Sequence, residues 1–92
     1  MNILVIGQGG REHAIAWKLS KSDIVTHIYV CPGNAGTSLE NNVSNVDISL
    51  DDHKKIIDFV KSNNVALTIV GPEAPLVDGI VNKFREEDLK IF

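Results

Sequence analysis

Short apolar runs alternate along the chain with longer amphipathic stretches, and that alternation is the pattern of strand followed by helix. The first run, Ile3-Leu4-Val5-Ile6, is uninterrupted and rich in β-branched side chains, as a strand buried on both faces requires. It ends in Gly7-Gln8-Gly9-Gly10, after which residues 11–21 lack Pro and Gly and carry Ala14, Ile15, Trp17 and Leu19. Ile15 and Leu19 stand one turn apart, which predicts a helix with a narrow apolar stripe ending near residues 20–23. Residues 26–31 are β-prone and stop at Pro32-Gly33, giving a second strand. The polar stretch over residues 38–49 offers only Val43, Val46 and Ile48 to anchor a short third strand.

A helix is predicted over residues 50–62, with Ser49 as N-cap, Asp51 and Asp52 favourable to its dipole, and Leu50, Ile56, Ile57 and Val60 as its buried face. Asn63-Asn64 supplies a left-handed stop, and residues 65–70 form the next strand, ending at Gly71-Pro72. Pro75 lies near the start of a further helix in which Val77, Ile80, Val81 and Phe84 recur at helical spacing, with Gly79 inside it and Lys83, Arg85, Glu86 and Glu87 facing water. Lys90-Ile91-Phe92 opens another strand, and the expectation is that the chain is one piece of a longer protein. Strands alternating with helices make an α/β domain, with a parallel sheet and ligands bound beyond the carboxyl ends of the strands. The loops over residues 7–12, 32–37 and 71–76 each follow a strand and should share one edge of that sheet.

Composition narrows the class. The chain has 92 residues, 43% hydrophobic and 23% charged, with a formal net charge of −3, as in ordinary globular domains. No stretch concentrates Lys and Arg, so no nucleic-acid partner is expected, and no apolar run approaches membrane-spanning length, so no membrane partner is expected either. The single cysteine, Cys31, excludes an internal disulfide, and with no export signal the expected location is cytoplasmic.

The glycine turn carries the candidate chemistry. Gly9 and Gly10 let a phosphate approach the backbone at the positive end of a helix, and Arg11 adds a charge-assisted contact. The dinucleotide fingerprint wants a third glycine where Glu12 stands. Glu12 would repel a pyrophosphate yet could accept hydrogen bonds from a sugar or an amine, so a monophosphate with a polar appendage fits better than NAD. Glu73, stiffened between Pro72 and Pro75, is either a surface carboxylate or an acceptor for ribose hydroxyls. Asn34 is either a left-handed turn residue or a ligand contact, and His13 either meets the phosphate or makes a structural hydrogen bond. Trp17 reads as core or domain-contact surface, and Cys31 as a small buried hydrophobe. His27 and His53 lie in different elements, so no metal site is expected, and no catalytic dyad emerges.

Three motifs in register carry a specific resemblance: Gly7-Gln8-Gly9-Gly10-Arg11-Glu12-His13-Ala14 followed by Ala16-Trp17-Lys18-Leu19, then Pro32-Gly33-Asn34-Ala35-Gly36-Thr37, then Gly71-Pro72-Glu73-Ala74-Pro75-Leu76-Val77. Over residues 2–92 the chain resembles the N-terminal domain of the glycinamide ribonucleotide synthetase family. The resemblance implies a three-layer Rossmann-like parallel sheet of the pre-ATP-grasp type. It implies an ATP-grasp ligase of purine biosynthesis, a phosphoribosylamine–glycine ligase joining its two substrates through a glycyl phosphate with release of ADP and phosphate. Residues 1–92 would then be a phosphoribosylamine-binding domain, cut before the ATP-grasp domains that hold glycine, ATP and Mg2+ (or Mn2+), and inactive alone. It places the phosphate at Gly9, Gly10 and Arg11, with Glu12, Pro32, Gly33, Asn34, Gly71, Pro72 and Glu73 around the ribose and amine. Two other readings of the residues stay open: the nucleotide-binding half of an NAD-linked oxidoreductase, and a non-catalytic α/β module that binds a partner through its helix faces.

Overall fold

The computed structural model describes residues 1–71 and 79–92. In chain order its elements are β1 (Asn2–Gly7), α1 (Gly10–Ser20), β2 (His27–Pro32), a single 3-10 turn (Thr37–Leu39), β3 (Val43–Asn45), α2 (His53–Ser62), β4 (Val65–Val70) and α3 (Ile80–Glu86). The four strands form one parallel sheet in the order β3-β2-β1-β4. Strand order therefore reverses direction at β1, and the crevice between the ends of β1 and β4 is the topological switch point of the sheet. The last residues extend the sheet beyond β4: the N–H of Phe92 donates to Thr68 O at 2.8 Å, and that of Thr68 to Lys90 O at 3.1 Å.

Strand periodicity divides the core into two layers. Ile3 and Val5 of β1, Ile28 and Val30 of β2, and Val43 pack with Ala16, Ile15 and Leu19 of α1. Leu4, Ile6 and Cys31, from the opposite face, pack with Ile56, Ile57 and Val60 of α2 and Ile80 and Phe84 of α3. The result is the three-layer α/β/α arrangement expected from the alternation of elements. Among the described residues no helix is long and apolar enough to cross a membrane.

Three expectations change in detail. Helix α2 starts at His53, not at residue 50, and its N-cap is Asp52, whose Oδ1 accepts the N–H of Lys55 at 3.2 Å. Ser49 instead accepts the N–H of Asp51, and Leu50 packs on the core from the preceding turn, because the aspartate reaches the orphan donors of the first turn. Gly79, expected inside the last helix, is the N-cap of α3 at φ +83, and Val81 is exposed. The earlier part of that predicted helix, including Pro75 and Val77, lies outside the described residues. On α1 the alanine that meets the sheet is Ala16, fully buried, while Ala14 is exposed and Trp17 is 47% exposed. The stripe follows the i, i+4 pair Glu12 and Ala16, flanked by Ile15 and Leu19. Asn64 adopts φ +52 after α2, the left-handed stop read from the sequence.

Candidate functional site

The end of β1 is the hub of the site. Gly33, beyond β2, donates its N–H to Gly7 O at 3.1 Å, and Gly71, beyond β4, donates to Ile6 O at 2.9 Å. Two neighbouring loops are thus pinned to the start of the glycine turn, and the shared edge expected for Gly7, Gly33 and Gly71 is observed. Gly33 sits at φ +77, where a side chain would be strained, and a Cβ there would also run into the Asn45 amide and Thr37 Oγ1.

Glu12, on the first turn of α1, is fully buried. Its carboxylate lies where Gly7 and Gly71 have no side chains; a Cβ on either glycine would overlap it. Both glycines are therefore required by close approach, and a carboxylate occupies the switch point. Neither Glu12 oxygen has a hydrogen-bond partner among the described residues. A buried unpaired carboxylate is costly, and a donor or cation brought by a ligand would relieve that cost.

Above it, α1 begins at an open turn. Gly9 is the N-cap in extended conformation, and among the described residues no side chain caps the helix and nothing lies within contact distance on the Cβ side of Gly10. The main-chain N–H groups of the first turn and the positive end of the helix dipole therefore meet at Gly9 and Gly10, beside the exposed Arg11. Glu12, inside that first turn, has a sign that suits the dipole.

The loop after β2 forms the second wall. Asn34 Nδ2 donates to Gln8 O at 2.8 Å and to Gly9 O at 3.3 Å, and Asn34 Oδ1 accepts the Thr37 N–H at 3.0 Å. Asn45, at the end of β3, donates from Nδ2 to Asn34 O at 2.8 Å. Thr37 Oγ1 accepts from Asn34 N at 2.8 Å and shares its one proton between Asn34 O at 2.8 Å and Asn45 Oδ1 at 2.6 Å. His13 sits against Gly36 and pairs through Nε2 with Glu40 Oε1 at 2.9 Å, the structural alternative of the two readings its position allowed. Pro32 and Gly33 are half-buried at the end of β2. Pro72 and Glu73 lie outside the described residues.

Sequence reading missed Thr37 and Asn45 as contributors. Thr37 stood in a quoted motif with no role attached, and Asn45 offered no signal, because its partners are brought to it only by the pairing of β2 with β3. Cys31 is buried and donates from Sγ to Ile48 O at 3.2 Å; burial pushes its thiol up to about 11, so it is no nucleophile at neutral pH. Among the described residues no group of three His, Cys, Asp or Glu side chains is placed to hold a metal ion. A surface groove of about 360 Å3 between α2 and α3 is lined by Lys54, Ile57, Asp58, Lys83, Glu86 and Glu87, none of them from the three loops. Its mixed charges and absence of loop donors offer less chemistry than the sheet edge.

Comparison with known proteins follows this geometry. The family model described as phosphoribosylglycinamide synthetase, N domain, matches residues 1–92. The chain is 58% identical to a phosphoribosylamine–glycine ligase of Pasteurella multocida, 56% identical to one of Haemophilus influenzae and 54% identical to one of Escherichia coli K12. Each match covers 100% of this chain and 21% of the relative, so the chain spans about a fifth of the length of these relatives.

Proposed function

The chain belongs to the phosphoribosylglycinamide synthetase N-domain family, and we propose that it forms the phosphoribosylamine side of a ligase that joins that amine to glycine with cleavage of ATP. The observation that carries the reading is the start of α1, a helix with no side-chain cap at the meeting point of three strand ends. The main-chain N–H groups at Gly9 and Gly10 hold the 5-phosphate, and Arg11 adds positive charge. The ribose and amine extend over the walls made by Pro32, Gly33, Asn34 and Gly71, continuing toward Pro72 and Glu73.

A monophosphate suits this edge better than a dinucleotide. In dinucleotide folds the third glycine lets helix and strand approach closely; here Glu12 fills that position, and its carboxylate occupies the switch point. A second phosphate crossing the turn would meet that charge, whereas an amine or hydroxyl donor would not.

In the reaction proposed, glycine is first activated as glycyl phosphate at the expense of ATP. The phosphoribosylamine nitrogen then attacks the acyl carbon, and the amide forms as phosphate leaves and the nitrogen gives up a proton. These residues bind and orient the sugar phosphate. ATP and glycine are assigned to ATP-grasp domains outside residues 1–92, a range that is about a fifth of the relatives' length. Mg2+ or Mn2+ is assigned with them, where it would offset the charge of the ATP phosphates. A cytoplasmic location accompanies this reading.

Titration of the 15N-labelled chain with ribose 5-phosphate tests the proposal. The Gly9, Gly10 and Arg11 amides should shift in a saturable manner, and to a lesser extent with inorganic phosphate; silent amides with both ligands would overturn it. The same chain given phosphoribosylamine, glycine and MgATP should form no glycinamide ribonucleotide, and product formation would overturn the assignment of ATP and glycine elsewhere.

A further inference from the structure

We propose that Asn34 is the positioning residue of the phosphate loop, a tether that turns the Gly9 and Gly10 N–H groups outward, in place of a direct ligand contact. The inference rests on the phosphate reading above and assigns the part of the fold that shapes that site.

In a trans peptide the C=O and the following N–H point in opposite directions, so fixing one aims the other. Asn34 Nδ2 holds Gln8 O at 2.8 Å and Gly9 O at 3.3 Å, two consecutive carbonyls of the turn. The Gly9 and Gly10 N–H groups are thereby directed away from the β2 loop. Gly9 O also accepts the His13 N–H at 3.1 Å, so the second carbonyl is held by the first helical bond as well. The first carbonyl, Gln8 O, depends on Asn34 more heavily. Gly9 and Gly10 have no Cβ to set their own conformation, and without the tether the Gln8–Gly9 plane would be free to rotate while the Gly9–Gly10 plane kept only its helical bond.

Asn34 has little capacity left for a ligand. Both Nδ2 protons are used on the carbonyls, and Oδ1 accepts the Thr37 N–H at 3.0 Å. Its backbone is held in turn from β3: Asn45 Nδ2 donates to Asn34 O at 2.8 Å, and Thr37 Oγ1 receives the Asn34 N–H at 2.8 Å. Gly33 makes room, since a Cβ there would strike the Asn45 amide. The polar chain thus runs from the end of β3 through the β2 loop to the start of α1. Each link is a hydrogen bond between groups that the sheet order brings together.

Asn34→Asp separates positioning from packing. Aspartate keeps an oxygen for the Thr37 N–H but sets its other oxygen against two carbonyl oxygens, so the tether becomes a repulsion. In the 15N,13C-labelled chain it should shift the Gly9 and Gly10 amides and the Gln8 and Gly9 carbonyl carbons, leave α2 and α3 resonances in place, and weaken ribose 5-phosphate binding at least about tenfold. Asn45→Ala removes only the support from β3 and should move the same signals with a smaller loss of affinity; it also serves if Asn34→Asp does not fold. A folded variant at either position with unchanged Gly9 and Gly10 signals and wild-type affinity would overturn the inference. Weakened binding with those signals unmoved would do so too, because it would mark Asn34 as a ligand contact. A wild-type chain that ignores ribose 5-phosphate would overturn the phosphate reading itself, and this inference with it.

Discussion

Helices α1 and α2 both start at the edge where strands end, yet their first turns are closed in opposite ways. Asp52 caps α2 with its own carboxylate, accepting the Lys55 N–H, and Lys55 Nζ stands 3.8 Å from the other oxygen. Helix α1 starts at Gly9 with no side chain to close it. A good cap contributes about 1 kcal/mol, and α1 forgoes it. Beneath α1 the chain also buries an unpaired carboxylate, while beneath α2 it buries Ile56, Ile57 and Val60. One helix start is completed by a side chain of its own segment; the other is the start at which the proposed phosphate would bind. On the proposed reading, the contrast is between a layer built for stability and a layer that gives up some stability for a site.

The sharpest way to break the comparison is to crowd the carboxylate. Gly71→Ala should cost about 3 kcal/mol in urea unfolding, because the new Cβ overlaps Glu12, and Glu12→Ala in the same chain should recover most of that loss. Equal stability of Gly71→Ala and wild type would deny the close approach on which the site is built. Next in size is a chemical probe of the α2 side. With its thiol raised by burial from 9.0 to about 11, Cys31 should alkylate about a hundredfold more slowly in the native chain than in urea at the same mildly alkaline pH. The folded state holds that proton more tightly than the unfolded one. Its contribution to stability is therefore complete below pH 9.0 and is lost as pH rises toward about 11, which urea titration against pH would show.

Converting α1 into a helix like α2 is the direct test. Gly9→Asp should raise stability by about 0.5 kcal/mol and weaken ribose 5-phosphate binding about tenfold or more, since the new carboxylate occupies the anion's place. If binding persists, the phosphate does not rest on this helix start. The smallest effect is expected from Asp52→Ala, a loss of about 1 kcal/mol in thermal unfolding with affinity for ribose 5-phosphate unchanged. Altered affinity would mean that the two helix starts are coupled.

Much of the fold was legible because β1 is buried on both faces and β4 is apolar at every position but Thr68. Residues 3–6 and 65–70 read as strands from their apolar side chains alone, and each carries a glycine where the chain must turn. The start of α2 was less legible, since Ser49 and Asp52 are both competent caps and the choice depends on where the chain leaves β3. Val46 and Ile48, expected in the third strand, pack on the core beyond its end at Asn45. That Gly9, Gly10 and Arg11 stand where the chain turns into α1 could be read from local sequence, because a turn into a helix is a local structure. Thr37 and Asn45 could not, because their roles arise from pairing between segments distant along the chain.

By itself the sequence determined the alternation of strands and helices, the glycine turns and the family to which the chain belongs, since each depends on residue types at short spacing. Only the tertiary structure decided what Glu12 and Asn34 touch. Glu12 passed from an exception in a glycine fingerprint to a carboxylate enclosed by Gly7 and Gly71, two residues far apart in sequence. Asn34, read from the sequence as either a turn residue or a ligand contact, donates to the carbonyls of Gln8 and Gly9. Both outcomes depend on parallel strands that bring three loop starts within hydrogen-bond reach, a proximity created by sheet pairing across the chain and written in no single segment.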